Sequence, residues 1–191
     1  MRDLWKLAHT AFIVLTSSIV APATLSATEQ PAAAEHNPPG DIPDSQVFIR
    51  YVSPAGYEVK VPEGWSRKAT NDTVSFADKY DIISLTVARS PSAPTLDSVR
   101  IGDVPALEKG GRAFSLKDLS ARKLDGGRAI RLIYQTNSEP NAVTGKQMRL
   151  EHERFFFFRD GSSTTTLDLA APVGADNADQ WQLISNSFHW R

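Results

Sequence analysis

Apolar and polar residues alternate along most of the chain from residue 47 onward. A period of two is typical of β-strands, and turn sequences such as Ser-Pro-Ala-Gly and Asp-Gly-Gly separate the alternating segments. The pattern predicts strands at residues 47–52, 57–61, 74–76, 83–87, 114–124, 128–137, 147–159 and 164–171. The short turns between many of them favour a mostly antiparallel sheet in which successive strands are neighbours.

Two segments depart from this alternation and predict helices. Between residues 90 and 112, Thr95 is a suitable N-cap for a short helix, and Pro105 suits the first turn of a second one. Near the end of the chain, residues 177–186 follow Asp176, a plausible N-cap, and carry apolar residues at helical spacing. We expect this closing helix to bury one apolar stripe against the sheet.

Four consecutive phenylalanines, Phe155–Phe158, determine how the sheet must be covered. In a strand, Phe155 and Phe157 point to one face, whereas Phe156 and Phe158 point to the other. Both faces therefore need cover, because a one-sided sheet would leave two of these large apolar side chains in water. We predict an α+β fold, an α/β/α sandwich in which a central antiparallel meander sheet is covered by helices on both faces.

The first 27 residues have the composition of a secretory signal peptide. A short cationic start is followed by an apolar run at residues 7–20 and by small residues that allow cleavage after Ala23 or Ala27. An uncleaved membrane anchor is the alternative, but the run is shorter than the roughly 20 residues of a spanning helix. We predict an exported protein, periplasmic or secreted, with no transmembrane segment after signal cleavage.

Residues 28–46 predict a disordered tether between the signal peptide and the domain. They contain four prolines, three consecutive alanines and four acidic residues, and no lysine or arginine. Such a segment offers little apolar surface to bury, which is typical of disordered linkers. A single domain is predicted to follow at residues 47–191.

The composition excludes several classes of function. The chain has no cysteine, which excludes disulfides, thiolate zinc sites, cysteine nucleophiles and the lipid-modified cysteine of bacterial lipoproteins. Its formal net charge is -1, far from the basic balance of a nucleic-acid-binding protein, so we predict no nucleic-acid partner. The domain must then be stabilised by its own apolar core.

No catalytic motif stands out. The sequence has no Gly-x-Ser-x-Gly elbow, no His-Glu-x-x-His pair and no phosphate-binding glycine loop. His152 lies within a predicted strand, where we expect a half-buried structural residue; a hydrolase built on His152 is the alternative. Alternation places His152 opposite Glu151 and Glu153, which can instead form cross-strand ion pairs with Arg131 and Arg149. We predict no enzyme activity, no metal and no cofactor.

Several short motifs resemble the PsbP-like family in their order along the chain. They are VPEGW at residues 61–65, the phenylalanine strand at 155–158, LAAP at 169–172, Trp181 and the Ser-Phe pair at 187–188. The resemblance covers about residues 51–190 and implies the α/β/α sandwich of that family. Plant and cyanobacterial members are extrinsic subunits of photosystem II, and bacterial relatives are exported proteins with roles in binding or assembly. No photosystem-docking or metal motif matches residue by residue.

Export, the missing catalytic motifs and this resemblance together predict a non-enzymatic binding or assembly module that acts on a protein partner or complex in the cell envelope. The alternative is a carrier of a small apolar or lipid-like ligand held between the sheet and a helix, which the two-sided phenylalanine strand suggests. The candidate residues for a partner or ligand surface are Trp65, Phe155, Phe157 and Trp190.

Overall fold

The computed structural model describes residues 29–33, 40–159, 161 and 163–191. Its strands are β1 (Phe48–Ser53), β2 (Tyr57–Pro62), β3 (Ser66–Ala69), β4 (Thr73–Asp78), β5 (Asp81–Arg89), β6 (Ser115–Leu124), β7 (Gly127–Asn137), β8 (Arg149–Arg159), β9 (Ser163–Pro172) and β10 (His189–Trp190). Its helical elements are α1 (Leu96–Ser98), a π-helical stretch at Val99–Asp103, α2 (Val104–Lys109) and α3 (Ala178–Asn186). Within these ranges, no helix has the length and hydropathy needed to cross a bilayer. The predicted signal peptide lies outside the described residues.

The described strands form two antiparallel sheets. The large sheet has the order β3-β4-β5-β9-β8-β7-β6, and the small sheet has the order β1-β2-β10. The mostly antiparallel, mixed α+β character of the prediction is confirmed. The single meander is corrected, because the first hairpin pairs with β10 in a sheet of its own. The large sheet is also not one continuous meander, since β9 returns to pair with β5.

The alternating side chains of β8 pack into two apolar clusters on opposite faces of the large sheet. Phe155 and Phe157 lie in the larger cluster, together with residues of β2 and α3. Phe156 lies in the second cluster, together with residues of β7 and of the helical segment around Val99. The parity of the phenylalanine strand is therefore the feature that divides the core.

Helices cover the sheet less completely than the sequence predicts. On the face of Phe155, the small sheet shares the cover with α3. On the face of Phe156, the described helical segment packs through Val99, Val104 and Leu107 against residues of β6, β7 and β8. Ile82 of β5 shares that face and is 38% exposed. The cover on this face thus extends over part of the sheet, because α1 and α2 are short.

Residues 40–46, which the sequence assigns to the tether, are packed against α3. The side chain of Ile42 is 4% exposed and belongs to the larger apolar cluster. Its backbone N–H donates to Oδ1 of Asn177 at 2.7 Å, and the amide of Gln180 donates to its carbonyl at 3.1 Å. Gly40 passes so close to Pro172 that a Cβ atom would lie 2.7 Å from Cδ of that proline. The packed domain therefore includes the end of the predicted tether.

Candidate functional site

A buried polar network lies on the face of Phe156, where β7, β8 and β9 run side by side. Arg154 of β8 faces Asp168 of β9 in the strand register. The guanidinium of Arg154 donates to Oδ2 of Asp168 through Nε at 3.1 Å and Nη2 at 2.5 Å. The hydroxyl of Tyr134, on β7, donates to the same oxygen at 2.7 Å. Two side chains from β7 and β8 thus converge on one carboxylate oxygen of β9.

His152 extends this network toward the end of β7. Its Nδ1 atom lies 3.4 Å from Oδ1 of Asp168, and its Nε2 atom lies 2.9 Å from the hydroxyl oxygen of Thr136. The imidazole also stacks on Tyr134, with ring centroids 4.4 Å apart and planes 10° apart. Asp168, His152 and Thr136 thus follow one another in the order acid, base and hydroxyl. Of these three residues, the sequence pointed to His152 alone.

The charges of the network stabilise one another. Burial raises the pKa of Asp168, but contact with His152 and the charge of Arg154 outweigh burial and lower this pKa to about 2. Burial lowers the pKa of Arg154, but Asp168 more than offsets it, and the net change is upward. Burial and the neighbouring carboxylate both raise the pKa of Tyr134. At neutral pH the network therefore holds an ionised Asp–Arg pair and a neutral tyrosine.

Glu151 and Glu153 lie on the opposite face from His152, as strand alternation predicts. Glu153 forms a close ion pair with Arg131, and Glu151 accepts a hydrogen bond from Gln135 at 3.2 Å. Burial raises the pKa of Glu153, whereas the charge of Arg131 lowers it, and burial dominates. Across the described residues, no group of three or more histidine, aspartate and glutamate side chains is placed to hold a metal ion.

The four predicted surface residues separate into two kinds. Phe155 and Phe157 are 2% and 1% exposed, so they lie in the core and offer no surface to a protein partner. Their burial follows from the small sheet, which covers them and which local alternation did not predict. Trp65 and Trp190 are half-buried at the margin of the same cluster.

The two half-buried tryptophans have different surroundings. Trp190 belongs to β10, where it pairs with Tyr57 of β2. Its ring lies edge-on to Phe188 at 5.4 Å, and the guanidinium of Arg159 lies 5.2 Å from its centroid. Trp65 lies just before β3, on the connection from β2. The structure therefore ties Trp190 into an aromatic cluster at the end of the chain and leaves Trp65 at a turn.

Strand β1 carries exposed apolar side chains that the sequence analysis did not single out. The exposed fractions are 56% for Val47, which immediately precedes the strand, 45% for Ile49 and 39% for Val52. β1 is an edge strand whose neighbour in the small sheet is β2. The charged residue of β1, Arg50, lies 3.5 Å from Glu58 on that neighbour. This edge strand therefore keeps apolar side chains exposed on both of its faces, Ile49 on one and Val52 on the other.

Asp81 lies beneath the packed segment around Gly40, where a Cβ atom on that glycine would lie 3.1 Å from Oδ1 of Asp81. Burial and the nearby charge of Asp78 raise the pKa of Asp81 from 3.8 to about 7. The raised pKa adds stability that is complete below about pH 4 and is lost as pH rises through 7. We expect Asp81→Asn to raise the free energy of unfolding by about 1–3 kcal/mol relative to wild type at pH 8. The difference should be smaller at pH 5.

Urea unfolding of the purified protein at pH 5 and pH 8 measures this difference. Asp72→Asn, at an exposed loop position, is the matched control and should follow wild type at both values of pH. Equal pH dependence of wild type and Asp81→Asn would contradict the raised pKa.

Comparison with known proteins places the chain by fold alone. No family model matches the sequence, and no curated protein matches it. A crystal structure from Bacteroides thetaiotaomicron is similar over 74% of this chain, with a TM-score of 0.50 and 11% identity. This chain spans 48%, about half, of the length of that protein.

Two further solved structures are similar at lower scores. The Ran-binding protein Mog1p of Saccharomyces cerevisiae has a TM-score of 0.46 and 9% identity, over 76% of this chain and 96% of its own. LpqN, involved in cell envelope biogenesis of Mycobacterium tuberculosis, has a TM-score of 0.45 and 16% identity, over 76% and 90%. Both have the Mog1/PsbP-like fold. These scores do not establish membership of a family, so the PsbP-like resemblance stays a prediction.

Proposed function

We propose that this protein is an exported, non-enzymatic module that binds a protein partner in the cell envelope, and that the partner docks as an added strand on the outer edge of β1. The observation that carries the proposal is that an edge strand keeps apolar side chains exposed, at Val47 and Ile49 and, on the opposite face, at Val52. Large apolar side chains that stay exposed on a folded domain can mark an interaction site. On an edge strand, the backbone N–H and C=O groups of the free side can also pair with an extended segment.

The other sheet edges support this choice, because each has a feature that discourages pairing. β3 is four residues long, is exposed throughout and carries Arg67 and Lys68. β6 carries several charged residues and has a register shift between Leu116 and Asp118. β10 has two residues. Charges, bulges and short length are the usual protections of an edge, and β1 has the least of them.

The exposed side chains of β1 indicate the chemistry of the partner. An extended segment on this edge would place alternate side chains beside Val47 and Ile49, so an alternating apolar sequence fits best. Trp65 lies two residues after Glu63, whose N–H donates to the carbonyl of Val47 at 2.8 Å, so it follows the part of β2 that pairs with the start of β1.

Export is part of the proposal and rests on the sequence. A cationic start, an apolar run and small residues before position 28 are typical of a signal peptide. A periplasmic or secreted location suits a binding module whose partner is a protein of the envelope. The PsbP-like resemblance, with its bacterial relatives in binding and assembly, supports the same interpretation.

We propose a structural role for His152 in preference to the hydrolase alternative. Both ring nitrogens face partners, Asp168 and Thr136, and the ring lies flat against Tyr134. A general base must reach a substrate proton, whereas this imidazole is held between groups of its own sheet. The contacts favour a histidine that links β7, β8 and β9.

Site-specific photo-crosslinking tests the docking edge. A photoreactive phenylalanine analogue replaces Ile49 in the full chain, expressed in its own host; the matched control replaces Val143, which is 92% exposed in a loop. We expect the Ile49 probe to form one adduct of defined mass that the Val143 probe does not form. Equal adducts from both positions would overturn the proposed edge, and so would an adduct of exactly two copies of this chain.

A further inference from the structure

An open groove of about 740 Å³ lies on the face of Phe156, away from β1. It lies between the sheet and the residues just before α1, where Pro94 and Thr95 form part of its wall. The sheet residues that line it and whose side chains share this face are Ala121, Lys123, Arg128, Ile130, Phe156 and Phe158. Its volume is in the range of pockets that bind small molecules, roughly 300–1,000 Å³.

The floor of the groove continues the second apolar cluster. Ile130 and Phe156 are directly opposite each other in the register of β7 and β8, and both are members of that cluster. Phe158 continues the same face of β8 and is half-buried. The half-buried Phe158 therefore forms the accessible apolar part of the floor, and the buried side chains of Ile130 and Phe156 form its base.

Two cations lie at one end of this apolar floor. Lys123 and Arg128 are directly opposite each other across the hairpin of β6 and β7. Like charges in this position destabilise a sheet. Neither residue takes part in an ion pair with another described residue, whereas Arg131 and Arg154 on the same sheet each have a carboxylate partner. An anion between Lys123 and Arg128 would remove the repulsion.

We propose that this groove binds a single-chain anionic amphiphile, a long-chain carboxylate, with its chain along Ile130, Phe156 and Phe158 and its head group between Lys123 and Arg128. The apolar floor provides burial for methylene groups, and the two cations provide charge complementarity for the head. Neither feature alone distinguishes a ligand. The apolar floor and the two cations lie next to each other in one groove, which favours a molecule with an apolar chain and an anionic head.

This site is independent of the proposed protein-binding edge. The groove lies on the large sheet, and β1 belongs to the small sheet. Failure of one proposal therefore leaves the other unaffected, and each is tested by substitutions that the other does not use.

Calorimetric titration of the purified full chain with palmitate tests the groove. We expect binding near one equivalent, weakened at least about tenfold in Lys123→Gln/Arg128→Gln. Ala121→Trp should abolish binding, because Ala121 is exposed on β6 and a tryptophan there fills the groove without disturbing the core. Arg67→Gln/Lys68→Gln removes two cations from exposed β3 and should bind as wild type.

Two further probes complete the test. Hexadecyltrimethylammonium, which has the same chain length and a cationic head, should bind at least about tenfold more weakly than palmitate. Equal binding of the two amphiphiles would overturn the head-group assignment, and unchanged palmitate binding in Ala121→Trp would overturn the location. Binding to phosphatidylglycerol vesicles without binding to palmitate would instead identify a membrane surface and overturn the proposal. Circular dichroism of every variant establishes that the fold is retained.

Discussion

Replacing Arg154 with methionine should lower the free energy of unfolding by about 3–5 kcal/mol at pH 7. The guanidinium is the cationic partner of the buried carboxylate of Asp168, which it contacts at 2.5 and 3.1 Å. Methionine keeps much of the side-chain volume but leaves the carboxylate charged and without its ion pair. Urea unfolding followed by circular dichroism measures the loss.

Two further variants show that this loss comes from an unpaired charge. Arg154→Met/Asp168→Asn should lose less stability than the sum of the single variants, because it removes the charge that Arg154→Met leaves behind. Arg67→Met, on exposed β3, should change stability by about 0.5 kcal/mol or less. A loss below about 1 kcal/mol in Arg154→Met would contradict the account of a buried pair.

The lowered pKa of Asp168 sets the pH range of this contribution. Its pKa is about 2 in the folded protein, compared with an ordinary value of 3.8. The stability that the ionised carboxylate provides is therefore present above about pH 4 and is lost as pH falls toward 2. Wild type should lose stability across this range more steeply than the double variant.

Truncating Phe188 to alanine should cost about 3–5 kcal/mol. Phe188 is fully buried and stacks on Phe157 with ring centroids 4.1 Å apart. It also stacks on Tyr57 of the small sheet, with ring centroids 5.5 Å apart, so it joins the two sheets. The chain fits tightly around it, because a Cβ atom at Gly126 would collide with the Phe188 carbonyl oxygen. The alanine variant leaves a cavity where the sheets meet.

Thermal and urea unfolding of Phe188→Ala test this role, with Leu116→Ala as the control. Leu116 is an apolar residue of edge strand β6 that remains substantially exposed, so its truncation should cost about 1 kcal/mol or less. Phe188→Leu should recover part of the lost stability, since it refills some of the volume. Similar losses in Phe188→Ala and Leu116→Ala would show that Phe188 does not join the sheets as described.

The phenylalanine strand shows which features of the fold the local sequence can predict. Side-chain direction depends on alternation within one strand, so the division of Phe155 and Phe156 between two faces could be predicted. What covers each face depends on contacts between distant segments. The pairing of β10 with β2 joins residues more than 120 positions apart, and nothing in the local pattern encodes it.

Only one of the strand registers that build the polar network could be predicted from the sequence. The turn between β8 and β9 is short, so the opposition of Arg154 and Asp168 could have been derived from the hairpin. The loop between β7 and β8 is long and does not determine a register, so the placement of Thr136 beside His152 could not. An aspartate in the apolar run of β9 was the available signal.

Ile42 explains why the packed domain begins before residue 47, within the predicted tether. It is the one large apolar residue in positions 28–46, and composition averaged over the segment hides it. Its burial depends on a groove beside α3 that exists only in the folded domain. Asn177 and Gln180 also bind the backbone of Ile42, so apolar burial and hydrogen bonds together anchor this part of the segment.

The photo-crosslink at Ile49 in a chain that also carries Val47→Lys and Val52→Lys tests the docking claim most directly. The two lysines give β1 the charged protection that β3 already has, without touching a buried side chain. The account predicts that the adduct formed by the Ile49 probe falls at least about tenfold in this background. An adduct of undiminished yield would contradict docking along the β1 edge.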